Sequence, residues 1–289
     1  MRLLHFSDVH VQLPRWRERS LRELGALRAL ASLELWKGRG RDYDDAADKL
    51  RLIARDADEL RADHCLLTGD LTQLAMEEEF ALARHALAPI LPRLASIPGN
   101  HDRYPLPDEY DWYKTNKLYE TYFPDQPLAP RLLGDDAVLI PVDSAGEVSW
   151  PIISHGRVGP AQLDVLASAL RHPAHAARCK LVLVHHSPTR RGARRDWPLH
   201  DLRGAGAFLK TCADNGADAI LCGHVHDRFD DAPRPGRPRV ICAGSSTERG
   251  KEGYWLLEIE KGRLAAVSRR AIGGEPTAPS RSPLSDLPP

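Results

Sequence analysis

The sequence predicts an α/β fold in which central β-sheets are covered by helices. Two observations lead there. Short apolar runs, several of them β-branched, alternate along the chain with longer stretches of helical periodicity. The composition is that of a globular chain, with 42% hydrophobic and 28% charged residues, and its 289 residues suffice for one large domain or two small ones. Lys plus Arg and Asp plus Glu number 40 each, so nothing in the charge balance suggests a nucleic-acid polymer as partner.

The first strand, 2–7, contains Leu3, Leu4 and Phe6. A helical pattern at 16–36 follows, in which Leu21, Leu24, Leu27, Leu30 and Leu35 recur at helical spacing. Helix 44–61 leads to strand 64–68 with its Leu66-Leu67 pair, and helix 76–91 to strand 94–97, which a Pro-Gly turn ends. Helix 108–121 and strand 137–142 come next, then helix 160–171 and the β-branched strand 180–185. Helix 203–215 precedes strand 218–222, and the turn-rich stretch "DDAPRPGRPR" connects onward to strand 238–243. Strands 254–260 and 263–269 complete the pattern. There is no internal repeat and no convincing domain boundary. Residues 1–272 are therefore expected to form one domain with an insert at about 12–43. The Pro- and Ser-rich tail, 273–289, has no apolar period and is expected to be disordered.

No apolar stretch approaches the about 18 residues of a membrane span, and because residues 1–7 run straight into the first strand, no signal peptide is expected. The cysteines, Cys65, Cys179, Cys212, Cys222 and Cys242, lack zinc-finger spacing and sit in apolar runs. Buried free thiols in a reducing cytoplasm are the expectation.

Polar clusters end five of the strands. "HFSDVH" ends on Asp8 and His10, which alternation places on one face. "CLLTGDLT" contributes Asp70, and "ASIPGNHDRY" contributes Asn100, His101 and Asp102. "LVLVHHSP" supplies His185 and His186, and "AILCGHVH" supplies His224 and His226. In open α/β sheets ligands collect beyond the carboxyl ends of strands, so these five ends can converge on one site. Gly69, Gly99 and Gly223 permit tight turns and close backbone approach just before the clusters. A mixed oxygen and nitrogen donor set without thiolates suits Mn, Fe or Zn rather than a structural zinc finger.

The ordered set "DVH", "GDLT", "GNHD", "HH" and "GHVH", within residues 3 to about 245, resembles the calcineurin-like metallophosphoesterases. That resemblance implies a four-layer αββα sandwich of two facing mixed sheets with outer helices, and two divalent metal ions. It implies that Asp8, His10 and His226 hold one metal and Asn100, His185 and His224 the other, with Asp70 bridging. His186, beside His185, remains the alternative for that place. Two metals ~3.5–4 Å apart can share a hydroxide, lower the pKa of its parent water and clamp phosphate oxygens during in-line attack. By the same resemblance His101 is not a ligand. It is expected to stabilise the phosphorus centre or protonate the leaving oxygen. Asp102 is expected either to orient His101 or to cap its loop.

Within the family, "VDSAG", "HGRVGPAQLDVL" and "HDLRGAGAFL" resemble segments of bacterial cyclic-nucleotide phosphodiesterases, and the last puts His200 near the substrate mouth. The expected activity is hydrolysis of phosphodiesters such as 3′,5′-cyclic nucleotides, small-molecule substrates. The insert departs from that subgroup. Its leucines and the basic Arg15, Arg17, Arg19, Arg22, Arg28, Arg39 and Arg41 read as an amphipathic helix packed on the sandwich, or as a lid or membrane-surface element. The second reading resembles bacterial UDP-2,3-diacylglucosamine pyrophosphohydrolases, which act on a lipid-linked nucleotide. A non-catalytic scaffold is the third alternative, but such a chain should have lost a ligand or His101, and none is missing.

Overall fold

In the computed structural model, which describes residues 1–13, 18–36, 38–105, 116–146 and 154–274, the first strand already dictates the layering. On β1 (Arg2–Phe6), Leu3 packs with Leu66, Leu181, Leu221 and Leu257. Leu4 and Phe6 pack instead with Leu50, Ile53 and Phe80. Successive side chains point to opposite faces, so a strand that is apolar on both must lie between two layers.

The remaining strands are β2 (His64–Thr68), β3 (Leu94–Ile97), β4 (Arg131–Leu133), β5 (Ala137–Val142), β6 (Gly156–Arg157), β7 (Cys179–His186), β8 (Leu202–Arg203), β9 (Ala219–Gly223), β10 (Phe229–Asp231), β11 (Arg239–Cys242), β12 (Tyr254–Glu260) and β13 (Arg263–Arg270). One sheet runs β13-β12-β1-β2-β3 and the other β10-β11-β9-β7-β5-β4, while β6 and β8 pair separately. Both large sheets are mixed. Strands β1, β2 and β3 are mutually parallel, as are β5, β7, β9 and β11, with antiparallel strands at the margins. Helices α1 (Leu21–Trp36), α2 (Ala46–Glu59), α3 (Glu77–Leu87) and α4 (Leu118–Tyr122) cover the first sheet. Helices α5 (Pro160–Arg171) and α6 (Ala205–Asp214) cover the second, where Phe208 and Leu166 meet Val182, Val184 and Ile220. The result is a four-layer αββα sandwich. All five cysteines are free and buried.

Strands β4, β6, β8 and β10 escape the sequence pattern because each has only two or three residues. Helix α1 differs from its predicted form. It starts at Leu21 and is interrupted by Gly25 in a left-handed conformation (φ 70°). Such a break shifts the phase of the helix, so leucine spacing no longer marks one buried stripe. Leu24, Ala31 and Leu35 pack inward, whereas Leu30 is 37% exposed. Arg28, one of the insert's basic residues, is only 3% exposed and donates to the Ala75 carbonyl at 2.7 Å. Residues 14–17, the side chains of Leu21 and Leu27, residues 106–115 of the predicted 108–121 helix, and the tail from 275 lie outside the described residues.

Glu79, on α3, is fully buried and accepts hydrogen bonds from the backbone N–H groups of Leu74 (2.9 Å) and Met76 (3.1 Å). Burial pushes its pKa up to about 8 despite those bonds. The folded protein therefore keeps a proton that the unfolded chain releases above pH ~4.3. Stability should fall as pH rises from about 4.3 to about 8, by at most about 1.4 kcal/mol per pH unit. Glu79→Gln should flatten that dependence. Melting curves of both proteins at several pH values test this, and identical slopes would exclude Glu79 as the source.

Candidate metal centre

Strands β1, β2, β3, β7 and β9 all deliver their carboxyl ends to one edge of the sandwich. The backbone turns sharply there. Asp8 (φ 50°), His10 (φ 52°), Asp70 (φ 50°), His224 (φ 71°) and His226 (φ 50°) all adopt the left-handed conformation, which costs a non-glycine residue about 1–3 kcal/mol. Surrounding bonds hold these turns. Asp8 and His10 donate their N–H groups to the carbonyls of Gly69 and Asp70, each at 3.0 Å. The hydroxyls of Ser245 and Thr247 donate to the carbonyls of Asp8 (2.7 Å) and Val9 (2.5 Å). Gly99 and Gly223 are required by proximity, since a Cβ at either would collide with the carboxylate of Asp70 or of Asp8.

Two donor sets result. His10 Nε2 and His226 Nε2 lie 3.2 Å apart, with Asp8 Oδ1 at 3.3 Å from His226 and 4.0 Å from His10. In the other set His185 Nε2 lies 3.1 Å from Asn100 Oδ1, and one ring nitrogen each of His185, His186 and His224 lies within 4.8 Å of the others. Asp70 Oδ2 stands between them, 3.3 Å from His185 Nε2 and 3.8 Å from His10 Nε2. Buried carboxylate and imidazole donors that converge in this way fit divalent cations, which satisfy several lone pairs at once.

The electrostatics agree with that fit. Burial holds His10 and His224 well below the usual histidine range, which keeps them neutral as metal ligation demands. For His185 burial also acts downward, but Asp70 and Asp8 carry its pKa up to about 10, a sign of strong negative potential at that point. Burial would raise Asp70, yet the neighbouring histidines hold it well below the carboxylate range.

Hydrogen bonds decide which nitrogen faces the centre. His185 donates from Nδ1 to the Thr68 carbonyl (2.7 Å), leaving Nε2 inward. His224 donates from Nε2 to the His200 carbonyl (2.9 Å), leaving Nδ1. His226 donates from Nδ1 to Glu248 Oε2 (2.7 Å), with the Tyr43 hydroxyl 3.0 Å away. His186 is different. Its Nε2 donates to the Ser154 carbonyl (3.1 Å) and its Nδ1 accepts from Ser144 Oγ (2.8 Å), so both nitrogens are engaged and the geometry favours His185.

One ring nitrogen of His101 lies within 4.8 Å of donor atoms of His10 and Asp70, so His101 adjoins the first set. Its N–H donates to Asp70 Oδ1 and its Nδ1 to the Gln73 carbonyl, both at 2.8 Å, and its ring packs edge-on against His10. Asp102 does not orient that ring. Its carboxylate accepts from the N–H groups of Gly99 (2.9 Å), Leu71 (3.2 Å) and Thr72 (2.9 Å) and from the Thr72 hydroxyl (2.9 Å). It thus ties the loop after β2 to the loop after β3, because the tight turn at His101–Arg103 sends neighbouring side chains apart. His200 stacks on His224 (centroids 4.0 Å apart) and is held by Asp196 at 2.7 Å.

These groups open on a polar cleft of about 230 Å³ lined by Arg39, Asp70, Asn100, His101, His200 and His226, among others. A larger cavity of about 580 Å³ between Leu94, Ile97, Leu139 and Leu183 is predominantly apolar, and the candidate ligands are not part of its wall. The candidate ligands therefore face the smaller cleft. Sequence reasoning missed Glu248, Tyr43, Gln73 and Ser144. Glu248 was legible in principle, because "GSSTE" follows β11 as the other clusters follow their strands. Burial would raise the pKa of Glu248, but hydrogen bonds from His226 and Lys251 bring it down to about 2, so it is a full anion behind His226. Glu248→Ala should weaken metal binding or activity about 10–100-fold. Metal titration of both proteins checks this, and equal affinities and rates would remove Glu248 from the centre.

A family model for calcineurin-like phosphoesterases matches residues 1–228. The chain is 30% identical over 177 residues to the 3′,5′-cyclic adenosine monophosphate phosphodiesterase CpdA of Haemophilus influenzae, with 58% of this chain and 56% of that protein covered. It is 25% identical over 175 residues to a probable glycerophosphodiester phosphodiesterase, GpdQ, of Arcobacter nitrofigilis, with 57% of each covered. The chain thus spans little more than half the length of these curated relatives. Its fold is similar to that of a dimetal phosphatase from Danio rerio, with a TM-score of 0.65 at 12% identity over 93% of this chain and 95% of that one.

Proposed function

The chain belongs to the calcineurin-like phosphoesterase family, and from that premise we propose that it is a two-metal phosphodiesterase acting on 3′,5′-cyclic nucleotides. One observation carries the reading: the carboxylate of Asp70 stands within 4 Å of both donor sets, 3.3 Å from His185 and 3.8 Å from His10. Both curated relatives named above are phosphodiesterases by description, which supports a diester over a monoester.

Asp8, His10 and His226 would hold one cation and Asn100, His185 and His224 the other, with Asp70 shared. Divalent ions held there would supply an activated water and neutralise phosphoryl charge. The chain's own residues do the rest. His10, His185, His224, His226 and Asn100 would hold the cations as uncharged donors, leaving Asp8 and Asp70 as the anionic ligands, so the loaded centre would keep a net positive charge toward an anionic substrate. Burial lowers the proton affinity of His101, and its neutral ring keeps a proton on Nδ1 for the Gln73 carbonyl. Nε2 must therefore gain a proton before it can donate one to the leaving oxygen, and a bound phosphoester anion favours that gain. His200 walls the cleft and, through its carbonyl, fixes the ring of His224. Among the described residues no helix is long and apolar enough to cross a membrane.

Protein stripped by chelation and reloaded with Mn²⁺, Zn²⁺ or Fe²⁺ tests the reading. The substrate panel comprises cyclic nucleotides, bis(p-nitrophenyl) phosphate, a glycerophosphodiester, p-nitrophenyl phosphate and a UDP-linked acyl sugar. Diester hydrolysis that is lost on chelation and restored by Mn²⁺ is the expected result. Preference for the acyl sugar would move the substrate to lipid-linked nucleotides. Inertness toward every phosphoester with every metal would overturn the proposal.

A further inference from the structure

The insert reaches the metal cleft through one short segment. After α1 the chain reverses at Gly38 (φ 126°) and forms a 3-10 turn at Arg39–Tyr43. That turn is fastened on every side. Gln12 donates from Nε2 to the Gly40 carbonyl (2.6 Å) and to Asp44 (3.0 Å), and Arg249 N–H donates to the Asp42 carbonyl (3.0 Å). Tyr43 is 1% exposed, packs edge-on against the His10 ring at 4.9 Å, and places its hydroxyl 3.2 Å from Glu248.

So anchored, Arg39 lines the cleft with Asn100, His101 and His226, and no other Lys or Arg among the described residues lines it. Its positive charge adds to burial in lowering the proton affinity of His10 and His101. A guanidinium next to a site that gathers cations is repelled when they bind, and an anion placed between them relieves that repulsion. Its planar fork of donors matches phosphoryl oxygens.

We propose that Arg39 binds a non-bridging oxygen of the substrate's phosphoryl group in the cleft that it lines together with candidate metal ligands. This rests on the phosphoesterase reading above, and it makes the insert a contributor to substrate binding rather than only a packed helix.

Calorimetric titration of inorganic phosphate into Mn²⁺-loaded wild type, Arg39→Ala and Arg39→Lys tests it, alongside metal analysis, melting temperature and kinetics on bis(p-nitrophenyl) phosphate. Metal content and melting temperature should stay at wild-type values. Phosphate affinity should fall about 10–100-fold in Arg39→Ala, as for loss of a charge-assisted bond, with KM rising by a similar factor and kcat changing less. Arg39→Lys should recover part of the affinity through its charge. Unchanged phosphate affinity and KM in the Ala variant would overturn the proposal. So would metal loss in both variants, which would make Arg39 a structural part of the centre. Wild type that hydrolyses no phosphoester would refute the enzymatic reading instead, and the phosphate titration would still decide the role of Arg39.

Discussion

Asp70→Ala is expected to lose metal from both positions and to abolish turnover, because one carboxylate serves two donor sets. Its Oδ2 lies 3.3 Å from His185 Nε2 and 3.8 Å from His10 Nε2, while its Oδ1 accepts the backbone N–H of His101 at 2.8 Å. Truncation therefore removes an oxygen from each set and frees the turn that carries His101. The loss should exceed the about 10–100-fold that follows removal of a hydrogen-bonding partner behind a ligand. Asp70→Asn keeps the shape and an acceptor oxygen but not the charge, so it should fold normally and still bind metal poorly. Elemental analysis and turnover are the measurements. A fully loaded, active Asp70→Ala protein would sink the bridging assignment.

His101→Ala should behave in the opposite way, retaining both metals and losing rate. In the proposed assignment this ring is not a ligand; it is held by the Gln73 carbonyl at 2.8 Å and packed against His10. Proton transfer or charge stabilisation by such a group contributes about 10²–10⁴-fold. If His101 donates a proton, the loss should shrink for p-nitrophenolate, a good leaving group, and be greatest for alkoxide leaving groups. An equal loss for both would indicate charge stabilisation. Unchanged kinetics with every substrate would remove His101 from the mechanism.

Much of the fold was legible because its strands are buried on both faces, so their apolar runs stand out from the helical patterns around them. The α1 stripe misled for a physical reason. Gly25 leaves helical geometry, and beyond it Arg28 turns inward while Leu30 faces solvent. Two-residue strands such as β6 have no periodicity to detect. The candidate metal ligands were legible from a single rule, polar clusters at the ends of apolar strands, applied at Asp8, Asp70, Asn100, His185 and His224. The same rule at Glu248 would have found the anion behind His226.

The sequence by itself determined the donor types, their order and the strand each one ends, since those are local properties of short segments. Only the tertiary structure decided which nitrogen of each histidine faces the centre and what stands behind it. Thr68, 117 residues away, turns His185 inward, and Ser144 with Ser154 takes both nitrogens of its neighbour His186. Tyr43 reaches His226 across 183 residues and brings the Arg39 turn to the cleft. A hydrogen bond depends on distance and direction in space, and partners so far apart along the chain share no local pattern that would announce them.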